Sequence, residues 1–156
     1  MGSGKTTTLG ECSDLLRAAR IAHAAVDLDA LGIAYCSARD VTLQNLASVC
    51  NNFASAGIRQ LLIAAAVESR SGLDGIVEAT QAARAFTCRL RATITTMEAR
   101  VAAREAGGTA SEQYVRRVRE LERLLDAAGI EDLMISTEAT SVSEVARTVL
   151  QRSGWL

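Results

Sequence analysis

The sequence predicts an α/β fold: a parallel sheet covered by helices on both faces, in a three-layer, doubly wound arrangement. Two observations carry this expectation. Short apolar runs at 21–27, 61–67, 86–95 and 133–136 alternate with longer segments of helical periodicity. One of these runs, Leu61-Leu62-Ile63-Ala64-Ala65-Ala66-Val67, has no polar interruption, as befits a strand with helices on both sides. Connections between parallel neighbours must cross over, and each intervening helical segment is long enough to do so.

The elements follow in order. Residues 5–20 predict a helix through Leu9, Cys12, Leu15, Leu16 and Ala19. Residues 21–27 predict a short buried strand. A second helix over 41–56 carries Val41, Leu43, Leu46, Val49, Cys50 and Phe53 on one face and stops at Gly57. After the 61–67 strand, a helix is expected over 71–83, with Ser71 and Asp74 at capping-box-like spacing. A strand is expected over 86–95, although Arg89 and Arg91 on one of its faces sit badly with full burial. Helices over 96–106 and 111–128 are joined by Gly107-Gly108-Thr109. The last strand is 133–136, and Ser141-Val142-Ser143-Glu144 is a capping box opening a final helix to about Arg152. With no repeat, low-complexity tract or linker, residues 1–156 read as one domain with a lid-like segment at about 97–119.

Bulk properties exclude several classes. A net charge of −1 gives no basic field for nucleic acid. No apolar run approaches the roughly 20 residues of a membrane span, and no basic segment followed by an apolar stretch opens the chain. Cys12, Cys36, Cys50 and Cys88 form no C-x-x-C pair and His23 is the only histidine, so no zinc site is expected. The cysteines read as reduced, mostly buried thiols of a cytosolic protein.

The basic residues are the most informative. Of 17 lysines and arginines, only Lys5 is a lysine, and it lies within Gly2-Ser3-Gly4-Lys5-Thr6-Thr7. A lysine kept where arginine serves everywhere else marks a site that needs a compact point charge. Gly4-Lys5-Thr6 is the second half of G-x-x-x-x-G-K-[ST], whose backbone amides cradle phosphates. The first glycine of that pattern would fall two residues upstream of Met1; the alternative origin is a glycine-serine tag scar.

Asp27 and Asp29 end the second-strand region in Val26-Asp27-Leu28-Asp29, at the sheet edge where open α/β folds bind ligands. Acids at i and i+2 can hold a magnesium-bound water or take a proton from a hydroxyl; equally, either can cap the following turn. Glu68 ends the 61–67 strand, where a magnesium-site acid can stand; Glu68-Ser69-Arg70 equally suits a substrate contact or a solvated turn. Arg100 and Arg104 share a helix face, and Arg116, Arg117 and Arg119 follow the diglycine. These suit a closing lid, or else a solvated face in which Arg104–Glu105 and Arg119–Glu122–Arg123 form surface ion pairs. Thr137-Glu138-Ala139-Thr140 flanks a purine base or is an ordinary connection. Arg39, Asn45, Asn51 and Asn52 line a polar pocket or lie on the surface. His23 reads as structural and Trp155 as packing on the domain surface.

Through Gly4-Lys5-Thr6-Thr7, the D-x-D of Asp27 and Asp29, and the R-x-x-x-R-E of Arg100 to Glu105, the chain resembles the small-molecule kinase branch of the P-loop NTPases. That branch includes nucleoside monophosphate, gluconate, shikimate and adenylylsulfate kinases and zeta-toxin-like phosphotransferases. The resemblance implies ATP and Mg²⁺ as cofactors and γ-phosphate transfer to a small-molecule acceptor, without nucleic-acid or membrane partners. It implies that Gly2, Ser3, Gly4, Lys5, Thr6 and Thr7 hold the phosphates, and that Thr6 shares Mg²⁺ with Asp29. It further implies that Asp27 or Asp29 handles the acceptor hydroxyl, with Lys5, Arg100 and Arg104 as catalytic cations. The chain departs from the family pattern in lacking a strand ahead of the loop, normally central in the sheet, and a Walker-B aspartate. Its absence would leave two neighbouring strands with unpaired edges. The native protein is therefore expected to begin upstream of Met1, with a β-branched or apolar run ending in a glycine-containing turn. The other readings are a non-catalytic nucleotide-binding or regulatory module and a degenerate P-loop protein.

Overall fold

The computed structural model describes residues 2–32, 39–104 and 110–156, without the side chains of residues 39–40, 104, 110–112 and 114–115. Within them the chain is mixed α/β. Its elements run α1 (Lys5–Ala18), β1 (Ala24–Asp27), α2 (Leu28–Leu31), α3 (Arg39–Ser55), β2 (Leu61–Ala64), α4 (Arg70–Thr80), β3 (Cys88–Arg91), α5 (Ile94–Arg104), α6 (Ala110–Ala128), β4 (Leu133–Ser136) and α7 (Val142–Ser153). The strands form two separate parallel pairs, β1–β2 and β3–β4, in place of one continuous sheet. Ala24 pairs with Leu61 and Asp27 with Ala64; Cys88 pairs with Leu133 and Arg91 with Ser136.

Side chains of β2 alternate between two cores, as a pleated strand requires. Leu62 packs into the cluster where α1 meets α7, around Cys12, Leu16, Ala146 and Leu150. Leu61 and Ile63 pack on the opposite side with Val26, Leu46 and Cys50, beneath α3 and α4. The first strand pair is thus covered on both faces, as the apolar run predicts. Yet Leu61, Leu62 and Ile63 are only half-buried, and among the described residues one edge of β2 has no neighbouring strand. A third cluster, Ala92, Met97, Val101 and Val118, joins α5 to α6.

Several boundaries differ from the sequence reading for identifiable reasons. The 86–95 strand is four residues long, and α5 begins at Ile94. Thr93 Oγ1 accepts from the Thr96 amide at 3.3 Å, so a helix cap takes residues whose β-branching suits a strand. Helix α4 is capped by Ser69, whose side chain accepts from the Gly72 amide at 3.1 Å, and not by Ser71. The capping box of Ser141 and Glu144 forms as read. Arg89 is buried after all, at 7% exposure. Helix α6 brings Glu122 to 3.0 Å and Asp126 to 2.8 Å from its guanidinium, and Glu131 lies 3.6 Å away. Glu122 is therefore part of a buried network, not of the surface pairs expected for α6, and Arg119 pairs instead with Glu98 at 2.7 Å.

Cys12, Cys50 and Cys88 are free thiols. Burial pushes the Cys12 thiol up to about 11, with Glu11 adding to it. Cys36, Glu105 and the diglycine at 107–108 lie outside the described residues. His23 is structural: its ring bonds Ser13 Oγ and the Ile21 carbonyl, each at 2.8 Å. Trp155 packs, half-buried, against the α1–α7 cluster. Among the described residues no helix is long and apolar enough to cross a membrane.

Candidate functional site

The site is built at the start of α1. Gly4 stands at the N-cap with φ 92°, and Gly2 has φ 71°, both left-handed conformations open to glycine. A Cβ on Gly2 would lie 2.6 Å from the Met97 carbonyl oxygen, so the close approach of the loop to α5 also requires glycine. Among the described residues no side chain caps α1, and its first turn has no acid. Helices α4 and α7 differ, each having a serine cap. The amides at the start of α1 and the positive end of its dipole are therefore open to an anion.

Both aspartates of the D-x-D converge on this turn. Thr6 Oγ1 donates to Asp27 Oδ2 at 2.7 Å. Lys5 Nζ lies 3.5 Å from Asp29 Oδ2. Asp27 Oδ1 also accepts from the Asp29 amide at 3.1 Å and so caps α2. Asp27 thus serves both the capping role and the approach to the loop, and it is Asp27, not Asp29, that meets the Thr6 hydroxyl. Beside Asp29 opens a pocket of about 300 Å³, lined by Leu28, Gly32, Thr42, Leu43, Ala65–Val67, Gly72 and Ile76. Asn45 stands apart from it, donating to the Leu31 carbonyl at 3.3 Å. Asn51 and Asn52 are exposed, and the Arg39 side chain lies outside the described residues.

The second strand pair reaches the same turn through Arg100. Its Nη1 donates to the Gly2 carbonyl at 3.2 Å and to Thr137 Oγ1 at 3.1 Å, and its Nη2 to the Thr137 carbonyl at 3.1 Å. Glu138 accepts from the Thr96 hydroxyl and the Thr93 hydroxyl, each at 2.7 Å, and from the Thr93 amide at 3.1 Å. These bonds, that from Thr96 foremost, hold its carboxyl below the usual range. Glu68 is bound to Arg117 at 2.5 Å. The Arg104 side chain lies outside the described residues. Thr93 and Thr96 escaped the sequence reading because they were assigned to a strand end and a helix start with no polar partner in view.

As a phosphate cradle the turn is chemically apt: open amides, two glycines and a partly buried ammonium. For a divalent cation the donor set is thinner. Thr6 and Asp27 supply one hydroxyl and one carboxylate already in contact, and among the described residues no group of three histidines, cysteines or acids is placed to hold a metal ion. This fits an ion such as Mg²⁺ that keeps most of its waters and takes further ligands from a bound phosphate. Compared with known proteins, the chain matches no family model and no curated protein sequence.

Proposed function

We propose that this chain is an ATP-binding P-loop kinase-like protein that transfers the γ-phosphate to a small-molecule acceptor. The observation that carries the reading is the uncapped, acid-free start of α1, with Lys5 on its first turn and Thr6 bonded to Asp27. Gly2, Ser3, Gly4, Lys5, Thr6 and Thr7 would surround the phosphates through backbone amides and the ammonium group. Thr6 and Asp27 would hold Mg²⁺, which when bound neutralises charge on the phosphate oxygens. Asp29 borders the 300 Å³ pocket and would accept the proton of an acceptor hydroxyl there. Arg100, Arg104 and Arg117 would add positive charge from the lid side. The fold assigned by this reading is the doubly wound P-loop type, in a cytoplasmic protein.

The test is a thermal melt of the full chain with and without MgATP, beside Lys5→Ala. Ligand at about 100 times Kd adds roughly 2.7 kcal/mol, a rise of roughly 5–10 °C for a chain of this size. The expected result is a rise that Lys5→Ala abolishes; no rise, or one indifferent to Lys5, overturns the reading. A second reading, a nucleotide-binding module without turnover, draws on Glu68, whose carboxylate is committed to Arg117 and so is not available as a magnesium acid. Magnesium-dependent ADP formation that is lost in Asp29→Asn separates the two.

A further inference from the structure

Strands β1 and β2 end side by side, with Asp27 paired to Ala64. Beyond that pair the chain forks. Strand β1 turns into α2 through the Asp27 cap, while β2 runs on through Ala65, Ala66 and Val67 to the Ser69 cap of α4. The pocket of about 300 Å³ beside Asp29 opens in this fork. A water's share of liquid volume is about 30 Å³, so the pocket has room for roughly ten to a dozen non-hydrogen atoms. It stands at the small end of ligand sites.

The lining is mostly apolar, from Leu28, Leu43, Val67 and Ile76 with Ala65 and Ala66. Asp29 is its charged member, and among the described residues that line it there is no lysine, arginine or histidine. The cations of the surrounding elements are placed elsewhere. Lys5 faces the Asp29 carboxylate at 3.5 Å, and Arg117 is bound to Glu68. Arg70 is exposed at the start of α4 and lies outside the lining.

This charge pattern selects among acceptors. A carboxylate, phosphate or sulfate group would leave water with no cation to meet it, and would stand near Asp29 with the same sign of charge. An ammonium gains little, because Lys5 already neutralises that carboxylate. A polyol would leave most of its hydroxyls against apolar walls without partners.

We propose that the acceptor is a compact, uncharged and largely apolar alcohol, with one hydroxyl at Asp29 and its body against Leu28, Leu43, Val67 and Ile76. The inference rests on the phosphate-transfer reading and names the substrate class of that site. The alcohol oxygen bonds to the γ-phosphorus of ATP as the bond from that phosphorus to the bridging oxygen breaks. ADP leaves with that electron pair, and the hydroxyl proton passes to Asp29. Nucleotides and sugar acids are excluded as acceptors, since their anionic groups meet no counter-charge in the lining.

The experiment titrates the full chain, without nucleotide, with three alcohols of nearly equal size and with glycerol. The three are 2-(4-acetylphenyl)ethanol, which is neutral, 4-(2-hydroxyethyl)benzoate, which is anionic, and 2-(4-aminomethylphenyl)ethanol, which is cationic. The readout is the amide resonances of Ala65–Val67, Gly72 and Ile76. The neutral alcohol is expected to move them with a Kd at least about 10-fold below those of the other three. Ala66→Lys, which places an ammonium at an exposed lining position, should bring the benzoate to near parity. Equal or tighter binding of the benzoate, the amine or glycerol by the parent overturns the proposal. So does an absence of shifts at these amides with all four, or discrimination against the benzoate that Ala66→Lys leaves untouched. The MgATP melt separates the two readings. A chain that responds to MgATP yet prefers the benzoate keeps the phosphate reading and loses this one. A chain that prefers the neutral alcohol without an MgATP response loses the transfer step and, with it, the acceptor role assigned here.

Discussion

Asp27 joins two jobs in one carboxylate, accepting from the Thr6 hydroxyl and capping α2 through the Asp29 amide. Asp29 is exposed, and its carboxylate lies 3.5 Å from the Lys5 ammonium. Asp27→Ala should therefore cost about 1 kcal/mol through the lost cap. Asp29→Ala should stay within about 0.5 kcal/mol, as exposed pairs do. Urea melts of the two variants check this, and equal costs would show that Asp27 does not cap. Arg89 belongs to a different regime, because its guanidinium is buried among carboxylates. Arg89→Ala leaves the buried Glu122 carboxylate with the weaker 3.3 Å contact to Arg91 and should cost up to roughly 3 kcal/mol, whereas Arg89→Met with Glu122→Leu should cost less. A double-mutant cycle in denaturant reads the difference. The sequence exposed Lys5, Asp27 and Asp29 as candidates because glycines and acids at fixed short spacing are visible in one dimension. It could not show Arg100 on the Gly2 carbonyl or Arg117 on Glu68, since those contacts span 98 and 49 residues.

Among the elements, legibility followed how local the deciding interaction is. The capping box at Ser141 is complete within four residues, and α7 was readable to about one residue at its end. The β3–α5 junction was not, because Thr93, Ile94 and Thr95 favour a strand on propensity alone. Helix α5 wins there through the Thr93 cap and through Glu138, which lies 45 residues away and fastens Thr93 and Thr96 together. Glu138 has its carboxyl lowered by these bonds. Its contribution is thus fully present above the unfolded carboxylate pKa, about 4.3, and is lost as pH falls through the lower folded value. Chemical denaturation from pH 6 down to pH 2 should show a smaller acid-side loss in Glu138→Gln than in the parent, with exchange at the start of α5 faster in the variant even at pH 6. An identical acid limb in both proteins would mean that the carboxylate does not fasten this junction.

At the scale of the whole molecule, the alternation of apolar runs and helices foretold parallel strands and crossover helices, and both are present. The strand found missing ahead of the loop also led to the expectation of two strands with unpaired edges, and among the described residues the strands indeed form two separate pairs. The consequence is a molecule in two weakly joined parts. One part holds α1, α7, β1, β2, α3 and α4 around two apolar clusters; the other holds β3, β4, α5 and α6 around Arg89 and a smaller cluster. Arg100 to Gly2 and Arg117 to Glu68 bridge them, and exposed or half-exposed pairs of this kind are weak. Cooperativity across such a seam should be poor, since among the described residues no backbone ladder joins β2 to β3. Native-state hydrogen exchange in low denaturant should therefore resolve two opening units. Amides of β3 and β4 should open at lower denaturant than those of β1, β2 and α1. Removing both bridges with Arg100→Ala and Arg117→Ala should destabilise the β3–β4 unit and leave the β1–β2 unit nearly unchanged, because each bridge ends on the weaker side. A single isotherm shared by all four strands would show that the halves are coupled more tightly than one ion-dipole contact and one ion pair allow.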